Sequence, residues 1–302
     1  MTIVKPSCLL ACEILWDCVE GQAPLHGGAT LNVAYHLNKL GCRTIPVSSV
    51  GNDELGRESL RIIKEEWQCD PSEIAMLDNV GTGIVDVKID ANGDANYFIH
   101  TPAAWDYISF RTGATRLACD AFVFGSVALR SAFNQHSFDD FLTKFHGLKC
   151  FDVNLREGQN DIHIVCQFLK KADFIKLNED EMDKIATFHG IKSQDKEEQL
   201  LSLIKITGEK TLCLTCGDKP PLLYWKGKIY KGQSIPVKVK NTIGAGDAFF
   251  ASMIHALISS DFKPDISLYR ASTLGSWVAT KDGAQPEYDA FIIEKLGIHK
   301  EM

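Results

Sequence analysis

The stretches CLLACEIL (8–15), TLNVAYHLNKLG (30–41), RTIPVSSVG (43–51) and DELGRESLRIIKEEWQ (53–68) alternate short apolar runs with amphipathic segments. Such alternation belongs to parallel strands joined by helices that pack on the sheet. In the second stretch Leu31, Ala34, Leu37 and Leu40 recur at helical spacing, which predicts a helix capped by Thr30 and closed by Gly41. Downstream, AFVFGS (121–126), KCFDVN (149–154), DFIKLN (173–178) and TLCLTCG (211–217) repeat the buried-strand pattern, each followed by a helix-like or turn-rich stretch. The fold class is α/β, with a mostly parallel sheet.

Residues 82–101 break that rhythm. GIVDVKID and ANYFIH alternate apolar and polar residues around Ala91-Asn92-Gly93-Asp94, a hairpin turn signal. An antiparallel ribbon inserted among parallel units predicts a small accessory sheet, a lid over a site, formed by about 12–28 and 80–108 within one domain of 302 residues. A second hairpin is expected at PLLYWKGKIYK (221–231), turning at Gly227.

The formal charge is −7 without long basic runs, which argues against a nucleic-acid partner and for a small molecule. No apolar stretch approaches the roughly 18 residues of a membrane span. Ten cysteines lie scattered in apolar stretches with no signal peptide ahead of them, so a reducing cytoplasm is expected. Cys213 and Cys216 share a CxxC spacing, but on a strand those positions face opposite sides, which disfavours a redox pair or metal site.

The chemistry concentrates in Asn241-Thr242-Ile243-Gly244-Ala245-Gly246-Asp247-Ala248-Phe249-Phe250, followed by the helix-like ASMIHALI. Gly244, Ala245 and Gly246 carry little or no side chain, so their amides can approach an anion at the positive end of the helix. Asp247 falls in the first helical turn, where a carboxylate can cap the helix or act as a base. Phosphoryl transfer needs both an anion cradle and a base, and GAGD supplies the two within four residues.

These residues resemble the C-terminal signature D-T-x-G-A-G-D of the ribokinase-like, or PfkB, family of carbohydrate kinases. The resemblance extends to Gly27-Gly28-Ala29-Thr30-Leu31-Asn32, similar to the family's GGxxxN sugar-binding element, and to Asn178 with Glu181, similar to its NxxE motif. It implies a three-layer α/β/α sandwich with a small antiparallel lid, Asp247 as base, and the amides of Gly244, Ala245 and Gly246 stabilising transferred charge. It further implies ATP as phosphoryl donor and Mg²⁺ organised through water by Glu181. Thr215 and Gly217 match a position near the nucleotide phosphates. Read without the resemblance, Asn178 and Glu181 in NEDEMDKIA suit a helix start.

The element Cys12-Glu13-Ile14-Leu15-Trp16-Asp17 looks like GEILWD of fructokinase-type members, with cysteine replacing the usual glycine. Asp17, Gly28, Asn32, Trp105 and Arg156 are the implied sugar-binding residues. Trp105 serves equally well to pack the lid, and Arg130 and Arg156 suit either ligand contact or a surface ion pair. D-fructose is the implied acceptor; 2-keto-3-deoxygluconate, ribose, inositol and nucleosides are neighbouring choices. A non-catalytic sugar- or nucleotide-binding protein is the rival from another class.

The family usually has Asp where this chain has Asn241, a carboxylate beside a monovalent-cation site. Losing that charge removes about 4 kcal/mol of attraction at an effective dielectric near 20, so weak potassium activation is expected unless Glu287, in KDGAQPE (281–287), restores it. Ile84 and Val87, read as one apolar lid face, suggest a homodimer through the lids.

Overall fold

The computed structural model describes residues 5–19, 21, 23–89, 95–110, 118–156 and 158–298. Along the chain β1 (Ser7–Ala11), β2 (Leu15–Val19) and β3 (Leu25–Gly27) precede α1 (Ala29–Lys39), β4 (Arg43–Gly51) and α2 (Glu54–Arg61), which continues through a π-helical turn, Ile62–Glu66. Strands β5 (Glu73–Leu77), β6 (Gly83–Ile89) and β7 (Ala95–Ile99) come next, then β8 (Ala121–Gly125), α3 (Ala132–Lys144), β9 (Leu148–Asp152), α4 (Ile162–Leu169) and β10 (Phe174–Asn178). The last third holds α5 (Glu179–Phe188), α6 (Lys196–Thr207), β11 (Thr211–Cys216), β12 (Lys219–Trp225), β13 (Lys228–Lys231), α7 (Ala245–Leu257), α8 (Pro264–Val278) and α9 (Ala290–Leu296).

The main sheet runs β13-β12-β11-β10-β9-β8-β1-β4-β5. It is parallel from β5 to β11 and ends in the antiparallel β12–β13 hairpin, which turns at Lys226 and Gly227, both with positive φ. Strand order reverses around β1, which lies between β4 and β8, and the carboxyl ends flanking such a reversal are where ligands bind in sheets of this type.

The strand period of two divides the core. Ala121 and Val123 join the apolar cluster containing α1, α7 and α8, while Phe122 and Phe124 join the cluster on the opposite face. Cys213 and Cys216 separate the same way, one into each cluster, which removes the CxxC pair as a dithiol. Nine of the ten cysteines are buried and Cys18 is half-buried.

Helix α1 starts differently from the sequence expectation. Its N-cap is Gly28 at φ 128°, where a Cβ would sit 1.7 Å from the Glu13 carbonyl oxygen. The Thr30 amide is taken by the Glu13 carboxylate at 3.2 Å instead of being capped locally. At the other end Gly41, φ 96°, donates to the Asn38 carbonyl and closes the helix as expected.

A separate four-stranded sheet runs β3-β2-β6-β7. Two antiparallel hairpins, β2–β3 and β6–β7, meet through a parallel seam between β2 and β6. The turn read at Ala91–Asp94 lies outside the described residues. Leu15, Val85 and Val87 form a small buried cluster with Ile99, whereas Ile84 is half-buried on the other face. Ile84 and Val87 are three residues apart on a strand, so they cannot share a face.

Candidate active site

The anion cradle is built from backbone. Gly244, the N-cap of α7, sits in the left-handed region at φ 78°, and a Cβ there would lie 2.3 Å from Ala284 Cβ. Only glycine meets both demands. Ahead of it Asn241 Oδ1 accepts the Ile243 amide at 2.9 Å, a side-chain turn that shapes the entry. The Ala245 amide donates to the Thr242 carbonyl at 3.2 Å, and the next amides of α7 lack helical acceptors, which puts the positive end of the helix at Gly246 and Asp247.

Asp247 is half-buried, and Asn32 Nδ2 donates to its Oδ2 at 2.8 Å. The Asn32 oxygen in turn accepts from Gln285 Nε2 at 2.7 Å. Burial, assisted by the Asp152 charge, pushes the Asp247 carboxyl up to about 6, against the pull of Asn32, Lys176 and Arg156. A carboxylate poised there is ionised at neutral pH and basic enough to take a proton from an alcohol as the oxygen attacks.

Behind the cradle lies a buried ion pair. Lys176 and Asp152 are register partners on β10 and β9, with Nζ 3.0 and 3.2 Å from the two carboxylate oxygens. A Cβ on Gly246 would lie 3.2 Å from the same ammonium. Burial works against the Lys176 charge, but Asp152, Glu181 and Asp247 together hold its pKa above the usual lysine value.

Asn178 and Glu181 form a complete capping box at the start of α5. Asn178 Oδ1 accepts the Glu181 amide at 2.9 Å and Glu181 Oε2 accepts the Asn178 amide at 2.8 Å. Glu181 Oε1 also accepts the Leu155 amide at 3.0 Å, which ties α5 to the loop after β9. Its carboxyl is raised by burial, with Lys176 opposing. Thr215 lies beside Asn178 as its register partner on β11, and Gly217, exposed at φ 60°, turns the chain into β12.

Among the described residues no group of three or more His, Cys, Asp or Glu side chains is arranged to hold a metal. Mg²⁺ takes one or two carboxylates together with phosphate oxygens and water, and the buried Asp152 and Glu181 carboxylates beside the cradle suit that donor set.

On the other side, Asp17 is carried by β2, and a Cβ on Gly27 of the neighbouring β3 would lie 3.4 Å from its Oδ2. Burial raises the Asp17 carboxyl to about 6, opposed by Arg156. Arg156 is exposed and acts electrostatically on both Asp17 and Asp247, so one cation lies in reach of the two carboxylates. The loop that presents it passes through Asn154 at φ 34°, a left-handed conformation that asparagine adopts more readily than most side chains. Gly28 and Asn32, at the start of α1, complete this side.

Trp105 does not offer a face to a ligand. It is wholly buried, and the Arg130 guanidinium stacks 3.8 Å from its ring centroid. Arg130 is not a surface residue: its Nε and Nη2 grip the two Asp106 oxygens at 2.8 Å each, and Nη1 donates to Gln159 at 2.7 Å. Glu287 is exposed and pairs with Lys39 at 2.9 Å.

Sequence reasoning missed Lys176, Asp152 and Gln285, and it gave Glu13 no role. Glu13 is buried, and its two oxygens accept amides from Thr30 and Ala128, which joins α1 to the turn after β8. Lys176 within the apolar FIKLN was the available signal, because a charge in a buried strand demands a partner.

A family model described as pfkB family carbohydrate kinase matches residues 24–290. The chain is 26% identical over 275 residues to a fructokinase of Salmonella typhimurium, covering 85% of this chain and 87% of that one. Two solved structures share its fold. A fructokinase of Xylella fastidiosa with bound ATP superposes with a TM-score of 0.83 at 21% identity, covering 93% of this chain and 94% of that one. A fructokinase of Vibrio cholerae in a fructose-, ADP- and calcium-bound form gives 0.81 at 23% identity, covering 96% and 99%.

Proposed function

The chain belongs to the pfkB family of carbohydrate kinases, and we propose that it transfers the γ-phosphoryl group of ATP to the 6-hydroxyl of D-fructose with Asp247 as the base. The observation that carries this reading is the Asp247 carboxylate, held by Asn32 at 2.8 Å in the first turn of a helix whose N-cap glycine admits no side chain. Base and cradle are adjacent, as an in-line transfer between an alcohol and a nucleotide requires.

In this scheme Asp17 accepts from sugar hydroxyls, with Gly28 and Asn32 lining the same side and Arg156 contacting hydroxyl or phosphate oxygens. Asp247 receives the proton of the attacking hydroxyl. The amides of Gly244, Ala245 and Gly246 take up charge on the transferred group. Thr215 and Gly217 border the nucleotide. Asp152 and Glu181 are the carboxylates that would hold Mg²⁺ through water, and the ion, when bound, neutralises phosphate charge. The small sheet acts as the lid that excludes water.

Fructose is favoured by the Salmonella relative's name and by GEILWD-like residues 12–17. The protein works in the cytoplasm as a homodimer through its small sheets, where Phe98 at 65% and Leu25 at 54% exposure leave apolar surface in need of cover. A panel of sugars assayed by ATP consumption tests the function. Fructose is expected to give the highest kcat/KM; higher turnover of ribose, 2-keto-3-deoxygluconate or a nucleoside reassigns the acceptor, and no turnover with any sugar overturns the kinase reading.

A further inference from the structure

One face of α1 grips the segment 284–288 along its length. Asn32, Tyr35, His36 and Lys39, spaced i, i+3, i+4 and i+7, all take part. Tyr35 OH donates to the Pro286 carbonyl at 2.9 Å, and Lys39 reaches Glu287 at 2.9 and 3.1 Å. His36 is buried between the Ala284 carbonyl, 2.9 Å from Nε2, and the Tyr288 hydroxyl, 3.0 Å from Nδ1. A carbonyl only accepts, so Nε2 carries the proton and Nδ1 accepts from Tyr288. Burial lowers the His36 pKa to about 4, and the ring stays neutral at neutral pH.

The innermost contact of this strap is Gln285 Nε2 to Asn32 Oδ1 at 2.7 Å, and Asn32 Nδ2 then reaches Asp247 Oδ2 at 2.8 Å. The polarity of the chain is forced. An ionised carboxylate only accepts, so Asn32 must turn its NH₂ toward Asp247 and its oxygen away. That oxygen, on a buried side chain, needs a donor, and Gln285 supplies it. A flipped Asn32 would set a carbonyl oxygen against the carboxylate.

We propose that Gln285 is a positioning residue for the base: its amide fixes Asn32 in the orientation that donates to Asp247, and the α1 strap holds Gln285 in place. The inference rests on Asp247 acting as the base. Four charged or polar groups face Asp247: Asn32 from α1, Asp152 from β9, Lys176 from β10 and Arg156 from the loop after β9. Only Asn32 is governed by Gln285. Losing its donated bond frees the carboxyl to rise, so the acid limb of the kcat–pH profile moves to higher pH.

The test uses two substitutions of similar shape. Gln285→Met removes the donor without adding charge, and Gln285→Glu, ionised, can only accept. Both are expected to lower kcat by roughly 10-fold or more, as for a hydrogen bond to a charged group, and to shift the acid limb upward, Glu more than Met. KM for ATP should stay within about twofold, which a general loosening of the cradle would not allow. Lys144→Ala, which breaks an exposed ion pair with Asp140 on α3 outside the strap, should keep the wild-type profile, and thermal unfolding verifies that each variant is folded. An unchanged profile in both variants overturns the proposal. So does a shift in Gln285→Glu alone, which would be the added charge acting directly. Asp247→Asn, assayed alongside, separates the two levels: if it keeps near-normal kcat the base reading itself falls, and this inference with it.

Discussion

The anion cradle and the small sheet differ in what holds them. The cradle is fixed mainly by backbone: a left-handed Gly244 against Ala284 and a bare Gly246 over Lys176. The small sheet is anchored to the rest of the fold by side chains. Just after β7, Arg130 takes the His100 carbonyl at 2.9 Å while it forks onto Asp106 and covers Trp105, and on β2 Trp16 Nε1 donates to Ser59 Oγ at 3.0 Å and the Leu55 carbonyl at 3.2 Å. A phosphate is the same in every reaction of this class, so it can be met by main-chain amides that no ordinary substitution alters. A sugar differs between kinases, and side chains on strands can be exchanged one at a time.

The sharpest way to break this contrast is Asp247→Asn. Turnover should fall by about 100- to 10,000-fold while calorimetry still registers sugar and nucleotide binding, because the cradle amides are untouched. In the parent protein kcat/KM should decline as pH falls through about 6, where the Asp247 carboxyl takes up its proton and ceases to be a base and Asp17 is protonated in the same range. An acid limb well below pH 5 would show that burial does not raise the Asp247 carboxyl.

Next in size is Arg130→Ala, aimed at the other region. It strands a buried Asp106 carboxylate without its fork, and loss of one partner from such a pair costs about 3–5 kcal/mol. A lowered thermal midpoint and a raised KM for sugar are expected, with KM for ATP within about twofold of normal. Equal damage to both KM values would mean that the two regions are not separately built.

The smallest effect concerns Asn241. Its side chain is engaged with the Ile243 amide, and Glu287 is held by Lys39, so neither supplies a carboxylate to a monovalent cation. Potassium chloride titrated at constant ionic strength should change kcat by less than about twofold, since the attraction a carboxylate would add is missing. Steep activation would assign cation binding to the carbonyls of the cradle loop alone.

The same contrast explains what could be read in advance. Strand and helix alternation, the hairpin at Gly227 and the GAGD turn are local patterns, and the structure realises them. Thr30 looked like a cap because hydroxyls precede helices, but Gly28 takes that place where the chain passes against the Glu13 carbonyl. Arg130 looked like a ligand or surface residue because its partner, Asp106, lies 24 residues earlier and reaches it only through the fold. Gln285 was unreadable for the same reason, with its partner 253 residues away. Ile84 and Val87 were misassigned on local grounds, since a spacing of three never shares a strand face.

The contact between α1 and α7 has a consequence for birth at the ribosome. Leu31, Val33, Ala34 and Leu37 leave the exit tunnel long before the helix that shares their cluster, and Asn32 meets Asp247 only across 215 residues. At roughly 5–20 residues per second of synthesis, that apolar stripe waits on the order of ten seconds or more without its cover. The nascent polypeptide therefore carries an open hydrophobic flank until α7 is made, a natural landing place for chaperones, and competence waits for that helix.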